Sequence, residues 1–414
     1  MNSGWSVVVE LLWIEASASR YNHRSRPVFW VSLVNAVTTF RQLGRPIVIA
    51  SSLLVLVGLM AVARAERLAG TDSRLFQQQI VFAIMAVIAL WAVTLPSYRV
   101  LGRWSYAMLA LAVVLLIAVY FFPKINGAHR WIRIGPVGLQ PSEFAKLAFV
   151  LALARWLMYR ENYRRLRGLF MPMVLTFVPV LLILREPDLG TAIIFLPVLF
   201  VMLYAAGARG RDLAVVGLCG VLMLPVLWSQ MSREQKSRVS AVFTQTEPGE
   251  SPSDDHFHLH RSKQIFAMGG VWGTWLSGDG ESYPRRYVVP AAATDSILCV
   301  IAERYGLWGV ALTLLFYGIV VWRCLAVARS TQEPYGRLVV VGIAALIGIQ
   351  VLVNAGMMVG LLPITGLSLP LVSYGGSGML AVAMAVGVVI NVEMRPGYEV
   401  AGEPFRFSAR RKAA

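Results

Sequence analysis

Residues 288–327, "VVPAAATDSILCVIAERYGLWGVALTLLFYGIVVWRCLAV", change from a polar loop to a long apolar run. Roughly 17–25 apolar residues suffice for a helix to cross a bilayer, so the run at 304–327 predicts a membrane-spanning helix. Asp295 precedes this run, at the expected edge of the membrane. An ionisable residue in such a place is costly to keep there, which makes Asp295 a candidate functional residue.

The rest of the chain has the same character. Of its 414 residues, 57% are hydrophobic and 14% are charged, whereas about a quarter of the residues of a soluble domain are charged. We therefore predict an all-α polytopic membrane protein with about ten transmembrane helices. The predicted spans lie near residues 46–64, 79–95, 105–122, 144–158, 169–184, 190–206, 212–229, 304–327, 338–360 and 369–392.

The distribution of basic residues predicts the orientation. Lys and Arg concentrate in one set of short loops, for example at Arg99, Arg103 and Arg329, and such loops face the cytoplasm. Both termini are then cytoplasmic. The predicted organisation is a cytoplasmic N-terminal extension at 1–45, a transmembrane domain at 46–394 with a large extracytoplasmic loop at 230–294 between helices 7 and 8, and a basic cytoplasmic tail at 395–414.

The net charge of +16 has two ordinary explanations, which are this orientation bias and attraction to anionic phospholipid. Nucleic acid is not implied as a partner. The basic residues of the outer loops also suit an anionic lipid-linked substrate. Cys219, Cys299 and Cys324 fall in or beside apolar segments, so we expect free thiols and no disulfide framework.

Residues 126–146, "NGAHRWIRIGPVGLQPSEFAK", form the first candidate constellation. After the outer-loop Arg130, the chain re-enters the membrane with Ser142 as the expected helix cap and with Glu143 and Lys146 one turn apart on one face. Such a charged pair needs a partner or a water-filled cavity. The alternative is an interfacial loop whose arginines extend to the membrane surface.

Residues 185–192, "REPDLGTA", predict a tight outer turn between two helices. Asp188 suits the cap of the second helix, which is a purely structural role. The functional alternative is that Arg185 faces the same outer vestibule as Arg130.

The outer loop contains "SKQIFAMGGVWG" at 262–273, which predicts a re-entrant or interfacial helix ending at Gly269 and Gly270. Before it, histidines alternate at positions 256, 258 and 260. A structural metal site also needs further Cys or His ligands to complete its shell, so we predict no metal site there.

Residues 354–380, "NAGMMVGLLPITGLSLPLVSYGGSGML", have no charge and too much Gly and Pro for a simple pair of helices. Broken membrane segments of this kind usually pack closely or present backbone groups to a ligand.

Taken together, five motifs resemble the SEDS family, whose best-known members are RodA and FtsW, over about residues 46–394. In chain order they are "HRWIRIGPVGLQPSEFAK", "REPDLGTA", "SKQIFAMGGVWG", "VPAAATDSILCVIAERYGLWG" and "NAGMMVGLLPITGLSLPLVSYGGSG". The resemblance implies a ten-helix enzyme of the inner membrane, a peptidoglycan glycosyltransferase that polymerises lipid II and works with a class B penicillin-binding protein.

By this resemblance, Asp295 matches the family's essential outer aspartate. Its implied role is to deprotonate the acceptor hydroxyl in an inverting transfer while the diphosphate leaves. Cationic side chains, or a divalent cation such as Mg²⁺ or Mn²⁺, would stabilise the leaving diphosphate. The candidate substrate-binding residues are Arg130, Glu143, Lys146, Arg185, Arg238, Lys263 and Gln264.

The chain departs from the family pattern beside Asp295. Where members usually read "PEAHTDFIF" this chain reads "PAAATDSIL", with Ala291 and Ala293 in place of Glu and His, and Trp275 replaces a usual glycine. These changes keep open a non-catalytic membrane scaffold for a class B penicillin-binding protein. A lipid II flippase is a further alternative, since ten helices with the interior charges Glu143 and Lys146 would also suit transport.

Overall fold

The computed structural model describes residues 45–70, 74–124, 128–134, 137–158, 166–222, 254–275 and 291–395, with isolated residues between 229 and 240. This part of the chain contains eleven α-helices and one β-hairpin. The helices are α1 (Arg45–Ala69), α2 (Arg74–Thr94), α3 (Tyr98–Ala118), α4 (Pro141–Met158), α5 (Phe170–Arg185), α6 (Leu189–Ala206), α7 (Gly210–Leu222), α8 (Asp254–Gly269), α9 (Ile297–Ser330), α10 (Pro334–Val359) and α11 (Gly376–Met394). Strands β1 (Ile132–Ile134) and β2 (Val137–Leu139) pair antiparallel.

Seven of these helices are long and apolar enough to cross a membrane, namely α1, α2, α3, α6, α9, α10 and α11. Helix α5 is apolar but has 16 residues, and α4 carries Glu143, Lys146 and Arg155 among its 18. Each of the ten predicted segments overlaps one of the helices α1–α7 and α9–α11. The predicted all-α polytopic membrane fold is confirmed.

Helix α11 occupies the interior of the bundle, where it contacts α2, α4, α9 and α10. Helices α4 and α11 are buried along most of their length, and α4 buries Glu143 and Lys146 together with its apolar residues. Helices α2 and α3 instead expose large apolar side chains such as Ile88 and Leu111. A bilayer would cover these side chains, since lipid tails are as apolar as they are.

Helix α9 is kinked at Gly306, where φ is 63° and ψ is −158°. The residues that follow α8, 270–275, dock into the opened helix. Three backbone hydrogen bonds join them: Thr274 N to Glu303 O (2.9 Å), Trp275 N to Arg304 O (3.0 Å) and Leu307 N to Gly270 O (3.0 Å). The docked segment therefore satisfies backbone groups that the kink frees.

A partly buried ion pair holds the same region to α1. The Arg64 guanidinium donates to both carboxylate oxygens of Glu303, at 3.3 and 2.9 Å. The Thr274 hydroxyl donates to the same carboxylate at 3.0 Å. Helix α1, the docked segment and the start of α9 are therefore joined at one point.

The predicted end of α8 at Gly269 is confirmed, but two local expectations are wrong. Helix α11 begins at Gly376 rather than near 369, because residues 361–375, which include two prolines and Gly366 at a φ of 71°, form a non-helical segment. Ser142 does not cap α4. The helix begins at Pro141, since proline is preorganised for the first helical position, and the buried Ser142 hydroxyl has no hydrogen-bond partner among the described residues. The extension at 1–44, most of the 230–294 loop and the tail beyond Arg395 lie outside the described residues.

Gly273→Ala tests the docking of residues 270–275. A Cβ at this position would lie 2.3 Å from the backbone oxygen of Arg304, so the segment must shift away from α9. We expect the free energy of unfolding to fall by roughly 1–3 kcal/mol beyond the cost of the backbone conformation itself. The measurement is the thermal unfolding temperature of the purified protein in detergent, which should be lower than that of wild type.

Gly270→Ala is the matched control, because Gly270 also has a positive φ but a Cβ there meets no atom within 4 Å. Both variants carry the conformational cost of a left-handed residue, about 1–2 kcal/mol. Equal unfolding temperatures for the two variants would contradict tight docking of residues 270–275.

Candidate functional site

A cavity of about 290 Å³ opens beside Asp295. Its walls come from the turn at 291–296, the residues that flank the β-hairpin, the starts of α4, α6 and α11, the middle of α10, and the broken segment 361–375. Three of the residues predicted from sequence line it: Arg130, Glu143 and Asp295. Segments far apart in the chain therefore converge on one site.

Asp295 lies in a turn just before α9 and is partly exposed to the cavity. The Thr294 hydroxyl donates to its Oδ1 at 3.1 Å. The Asn354 amide of α10 donates to the Asp295 carbonyl oxygen at 2.9 Å. These contacts fix the backbone of Asp295, while its carboxylate stays accessible from the cavity.

The broken segment holds the same turn from the other side. The Ser373 hydroxyl donates to the Thr294 carbonyl oxygen, and the backbone N–H of Tyr374 donates to Ala293 O at 2.8 Å. Ala291, whose φ is 55°, lines the cavity in the left-handed region that few residues other than glycine adopt. Ala291 and Ala293 thus both accept backbone hydrogen bonds, and Ala291 also lines the cavity.

Glu143 and Lys146 form a buried ion pair, with Lys146 Nζ 2.8 Å from Glu143 Oε1. Their side chains are 6% and 2% exposed, so water does little to compensate their charges. Lys146 also donates to Gln350 Oε1 at 3.1 Å. The second carboxylate oxygen of Glu143 has no hydrogen-bond partner within the described part of the chain, and Glu143 lines the cavity. Glu143 therefore contributes an unsatisfied acceptor to the cavity wall, although this oxygen is itself buried.

Two amides of α10 connect the ion pair to Asp295. Gln350 donates to Ser368 O at 2.8 Å, and Asn354 donates to Leu367 O at 2.6 Å as well as to Asp295 O. Residues four apart share a helix face, so both amides meet the broken segment. Sequence reasoning did not select Gln350 or Asn354, although two amides four residues apart in an otherwise apolar helix were a usable signal.

The turn between α5 and α6 positions Arg130. Asp188 caps α6 as predicted, since its carboxylate accepts from Thr191 N at 3.2 Å and from the Thr191 hydroxyl at 2.9 Å. Arg130 donates to the carbonyl oxygens of Glu186, at 3.3 Å, and Pro187. These bonds hold the Arg130 side chain at the cavity wall.

Glu186 lies in this turn with its side chain fully buried and with no hydrogen-bond partner among the described residues for either carboxylate oxygen. Burial, followed by the negative charge of Asp188, raises the pKa of Glu186 from 4.5 to about 8, against the opposing effect of Arg130. Glu186 is therefore mostly protonated at neutral pH, and in that state it carries no negative charge to pair with Arg130.

Among the described residues, Arg185, Lys263 and Gln264 do not line the cavity. Arg185 lies over the ring of Tyr120, with its guanidinium carbon 5.8 Å from the ring centre. Lys263 and Gln264 lie on α8, where Arg261 donates to Gln264 at 3.2 Å. Arg238 and the side chains of His256, His258 and His260 lie outside the described part.

Within the described residues, no group of three or more His, Cys, Asp and Glu side chains lies close enough to hold a metal ion. Within the described part of the chain, the cavity lining therefore does not supply the ligand set of a resident metal. Cys299 and Cys324 are buried free thiols, as expected, while the Cys219 side chain lies outside the described part. The chemistry available in the cavity is that of one accessible carboxylate, a guanidinium, and a buried ion pair with an available oxygen.

The family model described as a cell cycle protein of the FtsW, RodA and SpoVE type matches residues 44–397. Stage V sporulation protein E of Bacillus subtilis (strain 168) is 33% identical over 368 residues, which cover 85% of this chain and 97% of that protein. Peptidoglycan glycosyltransferase MrdB of Escherichia coli (strain K12) is 32% identical over 346 residues, or 82% of this chain and 92% of that protein.

Two solved structures resemble this one. A chain from a peptidoglycan synthase complex, which coordinates polymerization and crosslinking, has a TM-score of 0.73 at 30% identity and covers 84% of this chain and 96% of its own. The rod shape determining protein RodA of Thermus thermophilus has a TM-score of 0.63 at 28% identity, with coverage of 84% and 96%. Since the family model also spans most of the chain, this protein belongs to the FtsW/RodA/SpoVE family of cell cycle proteins.

Proposed function

We propose that this protein is a peptidoglycan glycosyltransferase that polymerises lipid II into glycan strands at the outer face of the cytoplasmic membrane. The observation that carries the proposal is Asp295, an accessible carboxylate on a fixed backbone at a polar cavity. The names of the relatives support the reaction class, since several are peptidoglycan glycosyltransferases.

Asp295 acts as the general base. It accepts the proton of the acceptor hydroxyl, whose oxygen attacks the anomeric carbon of the donor sugar as the bond to the diphosphate breaks. The configuration at that carbon inverts, and the diphosphate leaves with the electron pair. One carboxylate is enough for this chemistry, because a diphosphate does not need to be protonated in order to leave.

Arg130 is the cation of the cavity wall that stabilises the departing diphosphate. Lys146 has a different role from the one expected from sequence, because Glu143 already compensates its charge and it does not line the cavity. It positions Glu143, whose available oxygen accepts a hydrogen bond from a substrate hydroxyl or amide. A divalent cation, Mg²⁺ or Mn²⁺, would arrive as the counter-ion of the diphosphate rather than as a resident of the protein.

The partner in this proposal is a class B penicillin-binding protein, which crosslinks the strands. The similarity to a chain from a peptidoglycan synthase complex supports it.

The basic loops favour an orientation with both termini in the cytoplasm. Asp295, at the opposite end of α9 from Arg329, then faces outward.

A scaffold that binds the same partner without catalysis is the second candidate. Ala291 and Ala293 favour it, because neither supplies a polar side chain next to Asp295. The two functions separate experimentally, since a scaffold binds its partner but forms no polymer.

Asp295→Asn should lower polymerisation of labelled lipid II by at least about 100-fold, because the amide cannot accept the proton. The assay uses purified protein with its penicillin-binding partner, whose own transpeptidase site is blocked. Asp212→Asn is the control, since Asp212 begins α7 and lies 3.6 Å from the exposed Arg211. Activity within tenfold of wild type in Asp295→Asn would exclude the base role. A complex that forms but never polymerises, even in wild type, would favour the scaffold.

Lys146→Met should lower the free energy of unfolding by roughly 3–5 kcal/mol, because it leaves Glu143 charged and unpaired in the interior. The double variant Glu143→Gln, Lys146→Met should recover most of this stability but remain weakly active, since it lacks the Glu143 carboxylate. Thermal unfolding and polymerisation are measured on all three proteins. An unaltered unfolding temperature in Lys146→Met would show that the pair is not as buried as the structure indicates.

Glu186→Gln should reduce the loss of stability at high pH. The folded-state pKa of about 8 lies above the ordinary 4.5, so the contribution of Glu186 to stability is full below pH 4.5 and is lost as pH rises through 8. The slope is at most about 1.4 kcal/mol per pH unit. Unfolding temperatures at several pH values should fall more steeply for wild type than for the variant, and parallel curves would refute the assignment.

A further inference from the structure

A second groove lies at the opposite end of α9 from Asp295. It has a volume of about 310 Å³ and lies between the end of α6, the end of α9 and the start of α10. Its apolar wall consists of Ala205, Leu325, Ala328, Leu338 and Val341, and its charged residues are Arg329 and Arg337.

The two arginines are exposed and make no ion pair or side-chain hydrogen bond with any residue that the structure describes. Two other arginines at this end of the bundle are compensated. Arg323 lies 2.5 Å from Glu393, and Arg99 lies 3.1 Å from Glu333. Glu333, the acidic residue nearest to Arg337 in the chain, is thus already engaged. Positive charge is therefore left uncompensated at the groove.

The position of these charges matches the edge of a bilayer. Arg329 lies in the last turn of α9 and Arg337 in the first turn of α10, and both helices are of membrane-spanning length. The groove walls between them are apolar, and Leu325 is 40% exposed. An apolar slot next to two cations suits a ligand that is itself an anion joined to hydrocarbon.

We propose that this groove binds an anionic phospholipid from the leaflet opposite the Asp295 cavity. The lipid phosphate lies between Arg329 and Arg337, which donate charge-assisted hydrogen bonds to its oxygens. The upper part of an acyl chain packs against Ala205, Leu338 and Val341. The bound lipid joins three helices, including the one that Asp295 precedes. This inference does not depend on the proposed enzymatic activity.

The experiment measures lipid binding to the purified full-length protein by native mass spectrometry. Delipidated protein is titrated with phosphatidylglycerol or with phosphatidylcholine that has the same acyl chains. We expect tighter binding of phosphatidylglycerol to wild type. The double variant Arg329→Gln, Arg337→Gln should weaken that binding by roughly 30-fold, because each arginine contributes a factor of about five. Phosphatidylcholine binding should stay unchanged.

The double variant Arg45→Gln, Arg103→Gln is the charge-matched control. Arg45 begins α1 and Arg103 lies near the start of α3, and both are exposed and do not line the groove. Both helix starts lie at the same end as the groove, since Arg64 near the other end of α1 pairs with Glu303 near the start of α9, and Tyr98 contacts Glu333 beside α10. An equal loss in this control would mean general surface attraction and would overturn the proposal.

Ala205→Trp tests the apolar half of the site without a change in charge. A tryptophan at this position fills the groove, so we expect phosphatidylglycerol to bind at least tenfold more weakly. Wild-type affinity in this variant would show that no acyl chain enters the groove, and a lack of preference for phosphatidylglycerol in wild type would exclude the site altogether.

Discussion

Inside a bilayer, a backbone polar group has no water to bind, so every break in a membrane helix needs partners within the protein. Two breaks dominate this structure. The kink of α9 at Gly306 is satisfied by residues 270–275, and the non-helical segment 361–375 is satisfied by side-chain amides. The rest of the architecture follows from where these partners have to lie.

The segment 361–375 has hydrogen-bond partners on two helices, α10 and α2. Gln350 and Asn354 of α10 bind its carbonyl oxygens at Ser368 and Leu367, and the Gln79 amide of α2 binds Ser373 O at 3.1 Å. The Ser373 hydroxyl and the Tyr374 N–H bind the turn that carries Asp295. The groups that stabilise the broken backbone are thus the groups that hold the carboxylate, which explains how a reactive residue can lie in a turn and still be precisely positioned.

The buried charges belong to the same network as the broken segment. Lys146 is held by both Glu143 and Gln350, so the buried pair is part of the hydrogen-bond network that reaches Asp295. A buried ion pair contributes little net stability, and its value here is that it presents one oxygen of Glu143 to the cavity. On the outer turn, the neutral Glu186 leaves Arg130 as a cation at the same cavity. The site combines one base, one acceptor and one cation, each supplied by a different segment.

Local patterns in the sequence determined the membrane class, the approximate helices, the Asp188 cap and the Glu143–Lys146 pair, because hydrophobic runs, capping residues and one-turn spacings act over a few residues. Tertiary structure decided the rest. Arg185 ends α5 and Arg130 precedes β1, yet Arg185 lies over the Tyr120 ring and Arg130 reaches the cavity wall. Gln350 and Asn354 became part of the site because a segment 13 to 18 residues further along the chain folds back onto them. Such contacts depend on which backbone groups are left without partners in the assembled bundle, and that is a property of the packed helices rather than of any single stretch of sequence.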